Sequence, residues 1–268
     1  MERKISYLSI CCTLFLILLF LSGSVSGILS DILYFLAFLV PVIIGLFTVR
    51  SEEKQNSYLG IKGEDVRFFI PLIAPTVYLV MVFSVVTSLL LKLILGAENS
   101  VDVGNSLVPA LVYHALLPAI FEEALFRYLP MRMLSGHSKR ITVLLSATLF
   151  AFVHHSLFSI PYAFFAGLIF MLIDLVCDSV IPSIILHFIN NALSVSMIMY
   201  ESDPTFSLII LSILRVLALV SVIYLIINRK EYLRRFSLAF EKGEKFKLSI
   251  PIIMFSTVCI LIAVISIL

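Results

Sequence analysis

Charged residues are scarce in this sequence, and their scarcity excludes most classes of soluble protein. Only 13% of the 268 residues are Asp, Glu, Lys or Arg, whereas 61% are hydrophobic. A soluble domain typically has about 25% charged and 45–50% apolar residues. The composition therefore indicates a polytopic membrane protein that is embedded in the lipid bilayer. Nothing in the sequence, with its net charge of +2, resembles a basic surface for nucleic acid.

Several familiar site patterns are also missing. The four cysteines have no CxxC or other metal-type spacing, and they lie in apolar runs, which indicates small buried side chains: Cys11, Cys12, Cys177 and Cys259. The helical zinc motif His-Glu-x-x-His is absent, as is the G-x-G-D motif of aspartyl intramembrane proteases. The segment from Gly23 to Gly27 misses the spacing of a G-x-S-x-G serine site. These protease chemistries are therefore not supported.

Long apolar runs dominate the rest of the chain. Because about 20 mainly apolar residues cross a bilayer as a helix, we predict an all-α, polytopic transmembrane helix bundle with about eight or nine spans. The predicted spans lie near residues 5–22, 28–49, 69–96, 107–131, 141–157, 161–177, 180–199, 205–227 and 249–268. We divide the chain into N-terminal helices (1–106), a core (107–200) and C-terminal helices (201–268).

The first apolar run also resembles a signal peptide, with Ser24 and Ser26 suited to a cleavage site. Its length exceeds the roughly 7–15 residues of a usual signal core. We therefore predict a retained transmembrane helix, with cleavage as the alternative.

Lys and Arg concentrate in alternate polar segments, namely 1–4, 50–67, 132–140 and 228–247. The positive-inside rule then predicts a cytoplasmic N-terminus and a location in the cell membrane. The segment 228–247 is the most basic and also contains Tyr232. It either lies amphipathically on the inner leaflet and attracts anionic lipid, or forms an ordinary cytoplasmic loop.

Three charges interrupt the apolar run from 107 to 129. Each ionised side chain at the bilayer centre costs roughly 2.5–3.5 kcal/mol on insertion scales. Glu123 and Arg127 are four residues apart, so they share a helix face and can pair. Glu122 has no such local partner, and an unpaired carboxylate at membrane depth indicates a functional group. The alternative is a structural ion pair that holds two helices together.

Two more polar groups lie within predicted spans. His154 follows an apolar run in the fifth span, and in the seventh His187 and Asn191 are four apart on one helix face. Polar groups in lipid are less costly around one shared cavity than separately. A carboxylate and a neutral imidazole can deprotonate water, while a second imidazole and an amide can donate to an oxyanion. Alternatively, Glu122, His154 and His187 could hold a divalent metal such as zinc.

These residues resemble the three motifs of a known family, in the family's order. The motifs are Glu122-Glu123-x-x-x-Arg127, Phe150-x-x-x-His154 and His187-x-x-x-Asn191. The family is the CPBP family, the CAAX-protease and bacteriocin-processing membrane proteins. Its eukaryotic members trim prenylated CAAX proteins, and its prokaryotic members are linked to bacteriocin maturation and self-immunity.

The resemblance implies an intramembrane endopeptidase acting on a membrane-associated protein or peptide. It implies that Glu122 is the general base and His154 its partner in activating water. His187 and Asn191 would form the oxyanion site, and Glu123 and Arg127 would support the geometry of Glu122. Whether the family uses a metal or a glutamate-activated water stays open here. Two alternatives are a non-catalytic immunity or interaction protein on the same fold, and a transporter with a proton relay, which the absence of obvious inverted repeats disfavours.

Overall fold

The structure is a computed structural model that describes residues 2–49, 58–96, 103–135, 138–154 and 156–240. Within these ranges the chain forms helices and no strand, which confirms the predicted all-α fold. The helices are α1 (Glu2–Gly23), α2 (Ile28–Val49), α3 (Gly63–Leu95), α4 (Leu107–Met133), α5 (Lys139–Val153), α6 (Ile160–Cys177), α7 (Ile181–Met199), α8 (Pro204–Ile227) and α9 (Arg229–Ala239).

Seven of these helices are long and apolar enough to cross a membrane, so the chain is an integral membrane protein. They are α1 from Ser6 onward, α2, α3, α4, α6, α7 and α8. The predicted fifth span is the 15-residue helix α5. At about 1.5 Å per residue it is about 22 Å long, shorter than the roughly 30 Å hydrocarbon core. The predicted ninth span, 249–268, lies outside the described residues, as does Cys259.

The chain divides into two compact units. The first unit takes its described residues from 1–57 and 121–168, and the second unit takes them from 58–120 and 169–241. Each unit is therefore built from segments far apart in sequence. The predicted division into 1–106, 107–200 and 201–268 stays a prediction, as do the retained first helix and the cytoplasmic N-terminus.

Aromatic and small side chains form the core of the first unit. Phe126 lies at its centre, with its ring edge-on to Phe15 at 6.0 Å and to Phe150 at 5.7 Å between centroids. Cys11 and Cys12 are buried and free, as predicted. These rings join α1, α4 and α5 and thereby fix the rotation of α4 within this unit.

A close approach brings α2 against α4 in the same unit. A Cβ added at Gly45 would lie 2.1 Å from Cδ1 of Leu129, a side chain that is fully buried. A methyl group added here would overlap this side chain, so the buried Leu129 side chain would have to shift to admit it. Gly45 thus sets the packing distance between the N-terminal helices and α4.

In the second unit, a buried carboxylate fixes the start of α7. Asp174 is fully buried near the end of α6, and its Oδ1 accepts a hydrogen bond of 2.9 Å from the backbone N–H of Ser183. Pro182 lies in the first turn of α7, where a missing N–H costs nothing. Asp174 therefore stabilises the start of α7 from inside this unit.

Candidate active site

Two wide π turns flank the acidic motif of α4. Residues Val112–Leu116 and Ala124–Tyr128 are π-helical, and the α-helical segment Leu117–Glu123 lies between them. Single π turns inside α-helices are rare and frequently occur at functional sites. The glutamates therefore stand at a point where the helix departs from regular geometry.

A polar side chain satisfies a carbonyl in each π turn. In the first unit, the Ser146 hydroxyl donates to the carbonyl oxygen of Phe126. In the second unit, Nδ2 of Asn191 donates to the carbonyl oxygen of His114 at 3.2 Å. Backbone groups freed by a helix distortion must find partners when no water is near. Ser146 and Asn191 supply those partners from α5 and α7.

Glu123 and Arg127 form the predicted pair. Nε of Arg127 lies 3.2 Å from Oε2 of Glu123, and both side chains are fully buried. The guanidinium carbon of Arg127 also lies 4.1 Å from the centre of the Phe150 ring, a cation–π contact. The charge of Arg127 is thus balanced by a carboxylate and by an aromatic face within one unit.

Phe150 connects this pair to His154. The rings of Phe150 and His154 are edge-on, with centroids 4.7 Å apart. Nδ1 of His154 lies 2.8 Å from the carbonyl oxygen of Phe150. Because a carbonyl only accepts, Nδ1 carries the hydrogen, and Nε2 of the neutral ring is the acceptor. His154 follows the last residue of α5 rather than lying inside a long span, so its ring stands at a helix end.

Two tyrosines that belong to none of the three motifs lie near Glu122. The half-buried Glu122 carboxylate lies within electrostatic range of the phenols of Tyr34 on α2 and Tyr162 on α6. The Tyr162 ring also lies edge-on to His154, 6.3 Å between centroids. Tyr162 is therefore a common neighbour of Glu122 and His154. In the sequence both tyrosines resemble ordinary aromatic residues of apolar helices.

Aromatic contacts hold α2 beside the turn that carries Glu122. The ring of Phe121, one residue before Glu122, lies 6.2 Å from Phe35 and 6.1 Å from Phe38. Tyr34 packs edge-on to Phe38 at 5.0 Å. The N-terminal helices thus shape the surroundings of Glu122.

The third motif lies in the second unit, on α7. His187 is buried, and its ring lies 6.3 Å from that of Phe170. Oδ1 of Asn191 accepts from Nδ2 of Asn190 at 3.3 Å. Glu122, Glu123, Arg127 and His154 thus belong to the first unit, and His187 and Asn191 belong to the second. His155, the neighbour of His154 in sequence, lies outside the described residues.

A metal site was the alternative use of these residues. Among the residues that the structure describes, no group of three His, Cys, Asp or Glu side chains is arranged to hold a metal ion. The metal alternative stays a prediction.

Seven apolar helices and a set of buried polar motifs define a polytopic membrane protein with a candidate hydrolytic centre. A family model described as type II CAAX prenyl endopeptidase, Rce1-like, matches residues 104–193. The matched segment, about a third of the 268 residues, contains all three motifs. The predicted resemblance to the CPBP family of CAAX proteases is thereby confirmed.

The family match supports a CAAX-protease-like intramembrane endopeptidase in general. No curated protein and no solved structure matches the chain. Tyr34 and the rest of α2 lie outside the matched segment, so their contribution to the surroundings of Glu122 comes from the structure alone.

Proposed function

We propose that this protein is an endopeptidase that hydrolyses a peptide bond within the membrane, with Glu122 as the base that activates water. One observation carries the proposal: the Tyr162 ring lies edge-on to the His154 ring, and its phenol is within electrostatic range of the Glu122 carboxylate. Two residues of separate motifs, 32 positions apart, therefore share a neighbour inside one compact unit.

The proposed step needs only water and side chains. Glu122 takes a proton from the water as its oxygen attacks the carbonyl carbon of the substrate, and the peptide carbonyl becomes an oxyanion. Glu122 then gives the proton to the leaving amine as the carbon–nitrogen bond breaks. The acceptor Nε2 of His154, fixed by the bond from Nδ1 to Phe150, orients the water by accepting its second hydrogen.

Glu123 and Arg127 support this arrangement without touching substrate. Their buried pair and the Phe150 contact connect the helix carrying Glu122 to the helix end carrying His154. We therefore assign them positioning roles. Tyr162 has a positioning role too, because its ring limits the rotation of the His154 imidazole.

His187 and Asn191 are proposed to stabilise the oxyanion. The support is their chemistry and the family match, which extends over the third motif. An amide nitrogen has two hydrogens, and one hydrogen of Asn191 Nδ2 is donated to the His114 carbonyl. That bond fixes the orientation of the amide, so the second hydrogen has a defined direction. Preorganised donors of this kind are typically worth about 10²–10³ in rate each.

The proposed substrate class follows from the description of the matched family. A prenylated peptide ending in a CAAX sequence would partition into the bilayer through its lipid group. Its scissile bond would then reach a site within the membrane, where ordinary soluble peptides are rare. We propose such lipid-anchored C-terminal segments as the class to test first.

The test is cleavage by the purified protein in bilayer discs. A farnesylated CAAX peptide is incubated with the protein, and mass spectrometry identifies the bond that is cut. We expect release of a C-terminal tripeptide by the parent protein and by Glu201→Gln, which makes the same change at an exposed carboxylate. Glu122→Gln should release none. If the parent cuts neither this peptide nor any of a diverse peptide library, the protein is a non-catalytic member of the fold.

A further inference from the structure

The short helix α9 begins directly after a membrane-spanning helix. Only Asn228 separates it from α8, whose apolar residues are mostly exposed on the protein surface and suited to lipid contact. Asn228 closes α8 through its backbone N–H and its Nδ2, both of which donate to the carbonyl of Tyr224. A helix that follows a span so closely starts at the level of the lipid headgroups.

One face of α9 is attached to α3 within the second unit. The Tyr232 ring stacks on Phe68 at 4.6 Å between centroids, and its hydroxyl donates to the Phe68 carbonyl at 3.1 Å. Burial raises the pKa of Tyr232 to about 12, so the hydroxyl keeps the hydrogen that it donates. Arg235 pairs with Asp65 at 2.7 Å. These contacts fix the rotation of α9 about its own axis.

The opposite face of α9 is exposed and basic. Lys230 and Arg234 point away from the α3 contacts, since at 100° per residue each lies about 160° from Tyr232. Arg229 is exposed too and lies at the edge of this arc, about 60° from Tyr232. Glu231 is the one acidic residue of this helix. Its Oε1 lies 3.6 Å from Nε of Arg235, and this pairing partly neutralises the carboxylate. Counting the described residues of α9 alone, the exposed arc therefore carries a net positive charge.

Two leucines share this exposed arc with the cations. Leu233 is 67% exposed and Leu238 is 55% exposed. Large apolar side chains among cations are typical of helices that lie in the headgroup region, where the apolar groups enter the acyl boundary and the cations meet phosphate. A purely aqueous loop would gain nothing from exposing them.

We propose that the exposed face of α9 binds anionic lipid headgroups of the leaflet in which α8 ends. This surface consists of Arg229, Lys230, Leu233, Arg234 and Leu238. Its ligand is the phosphate of an acidic lipid such as phosphatidylglycerol. Charge complementarity and the continuity of α9 with a span identify a lipid rather than a soluble acidic protein. The proposal does not depend on protease activity.

The composition offers a clean probe, because the chain contains no tryptophan. Leu233→Trp introduces a single indole on the proposed surface. The variant is placed in phosphatidylcholine discs that contain a minor fraction of a lipid brominated near its headgroup. In one sample the brominated lipid is phosphatidylglycerol, and in the other it is phosphatidylcholine. Bromine quenches an indole only at close range, so the ratio of quenching by the two lipids measures which one is selected.

We expect phosphatidylglycerol to quench more strongly than phosphatidylcholine, with the preference decreasing in high salt. A basic residue near an anionic surface contributes roughly a fivefold preference. Replacing Arg229, Lys230 and Arg234 together by Gln should therefore lower the preference at least fivefold. Exchanging Arg and Lys at the same positions should preserve it.

Neighbouring arginines provide the matched control for folding. Arg234→Gln should weaken the lipid preference without changing the melting temperature, whereas Arg235→Gln should lower the melting temperature because it leaves Asp65 unpaired. Equal quenching by the two lipids would overturn the proposal, as would an indole that neither lipid quenches. A lipid preference that high salt leaves unchanged would also overturn the proposal. This last measurement needs only the Leu233→Trp protein.

Discussion

The buried pair of Glu123 and Arg127 allows the most quantitative prediction. The two charged groups approach to 3.2 Å with both side chains fully buried. At that distance Coulomb attraction is about 5 kcal/mol with an effective dielectric constant near 20. Glu123→Gln removes the carboxylate and leaves Arg127 with the Phe150 ring, a contact worth roughly 0.5–2 kcal/mol. We expect the variant to lose about 3–5 kcal/mol of unfolding free energy.

Removing the second charge should recover much of this loss. In Glu123→Gln/Arg127→Met no buried charge is left, and apolar replacement of a buried pair is often neutral or stabilising. The double variant should therefore be more stable than Glu123→Gln alone. The free-energy changes of the two single variants should sum to several kcal/mol more than the change in the double variant.

Thermal unfolding in bilayer discs, followed by circular dichroism, measures both effects. A loss of 3–5 kcal/mol corresponds to a decrease in melting temperature of roughly 10 °C. Glu201→Gln, at an exposed carboxylate, should change stability by less than about 0.5 kcal/mol. Strictly additive effects of the two single substitutions would refute the reasoning, because they would show that the pair contributes no coupling energy.

Two further predictions concern residues that only the structure identified. Tyr162→Ala should reduce kcat about 10-fold or more with little change in KM, since His154 loses the ring that limits its rotation. Tyr162→Phe should retain the ring contact and most of the rate. Steady-state kinetics measures both variants, and equal impairment of the two would contradict this role. Gly45→Ala should destabilise the protein by about 1–3 kcal/mol, because its methyl group overlaps the buried Leu129 side chain. The matched control Gly63→Ala adds a methyl group at an open position and should leave the stability unchanged. Equal melting temperatures of the two variants would contradict the packing argument.

The spans and the ion pair could be predicted because each depends on local sequence. Hydropathy over about 20 residues identifies a membrane helix without knowledge of its neighbours, and seven predicted spans coincide with apolar helices of the structure. The pairing of Glu123 with Arg127 follows from a spacing of four on one helix. Both features depend on the residues of a single helix.

The end of α5 and the π turns of α4 could not be predicted in this way. Apolar residues resume at Leu157 after three polar ones, so the predicted fifth span extends to 157, whereas the helix ends before His154. A π turn forms when a side chain from another helix satisfies the freed carbonyl, as Ser146 does for Phe126. Such a partner is invisible until the packing is known.

Tyr34 and Tyr162 illustrate the same limit at the site. Each lies in an apolar helix, where a tyrosine is usually a packing residue with a polar tip. Their interaction with Glu122 depends on how α2 and α6 pack within the first unit. The motif residues could be selected because charge in lipid is costly wherever it lies, but their neighbours carry no such signal.

The rate of peptide hydrolysis by Glu122→Gln tests the central claim most directly. Glutamine keeps the size and polarity of the side chain but cannot accept the proton of the attacking water. In single-turnover experiments with a cleavable peptide, we expect the rate to decrease by about 10²–10⁴, with unchanged peptide affinity and melting temperature. A variant that cleaves at nearly the parental rate would contradict the assignment of Glu122 as the base.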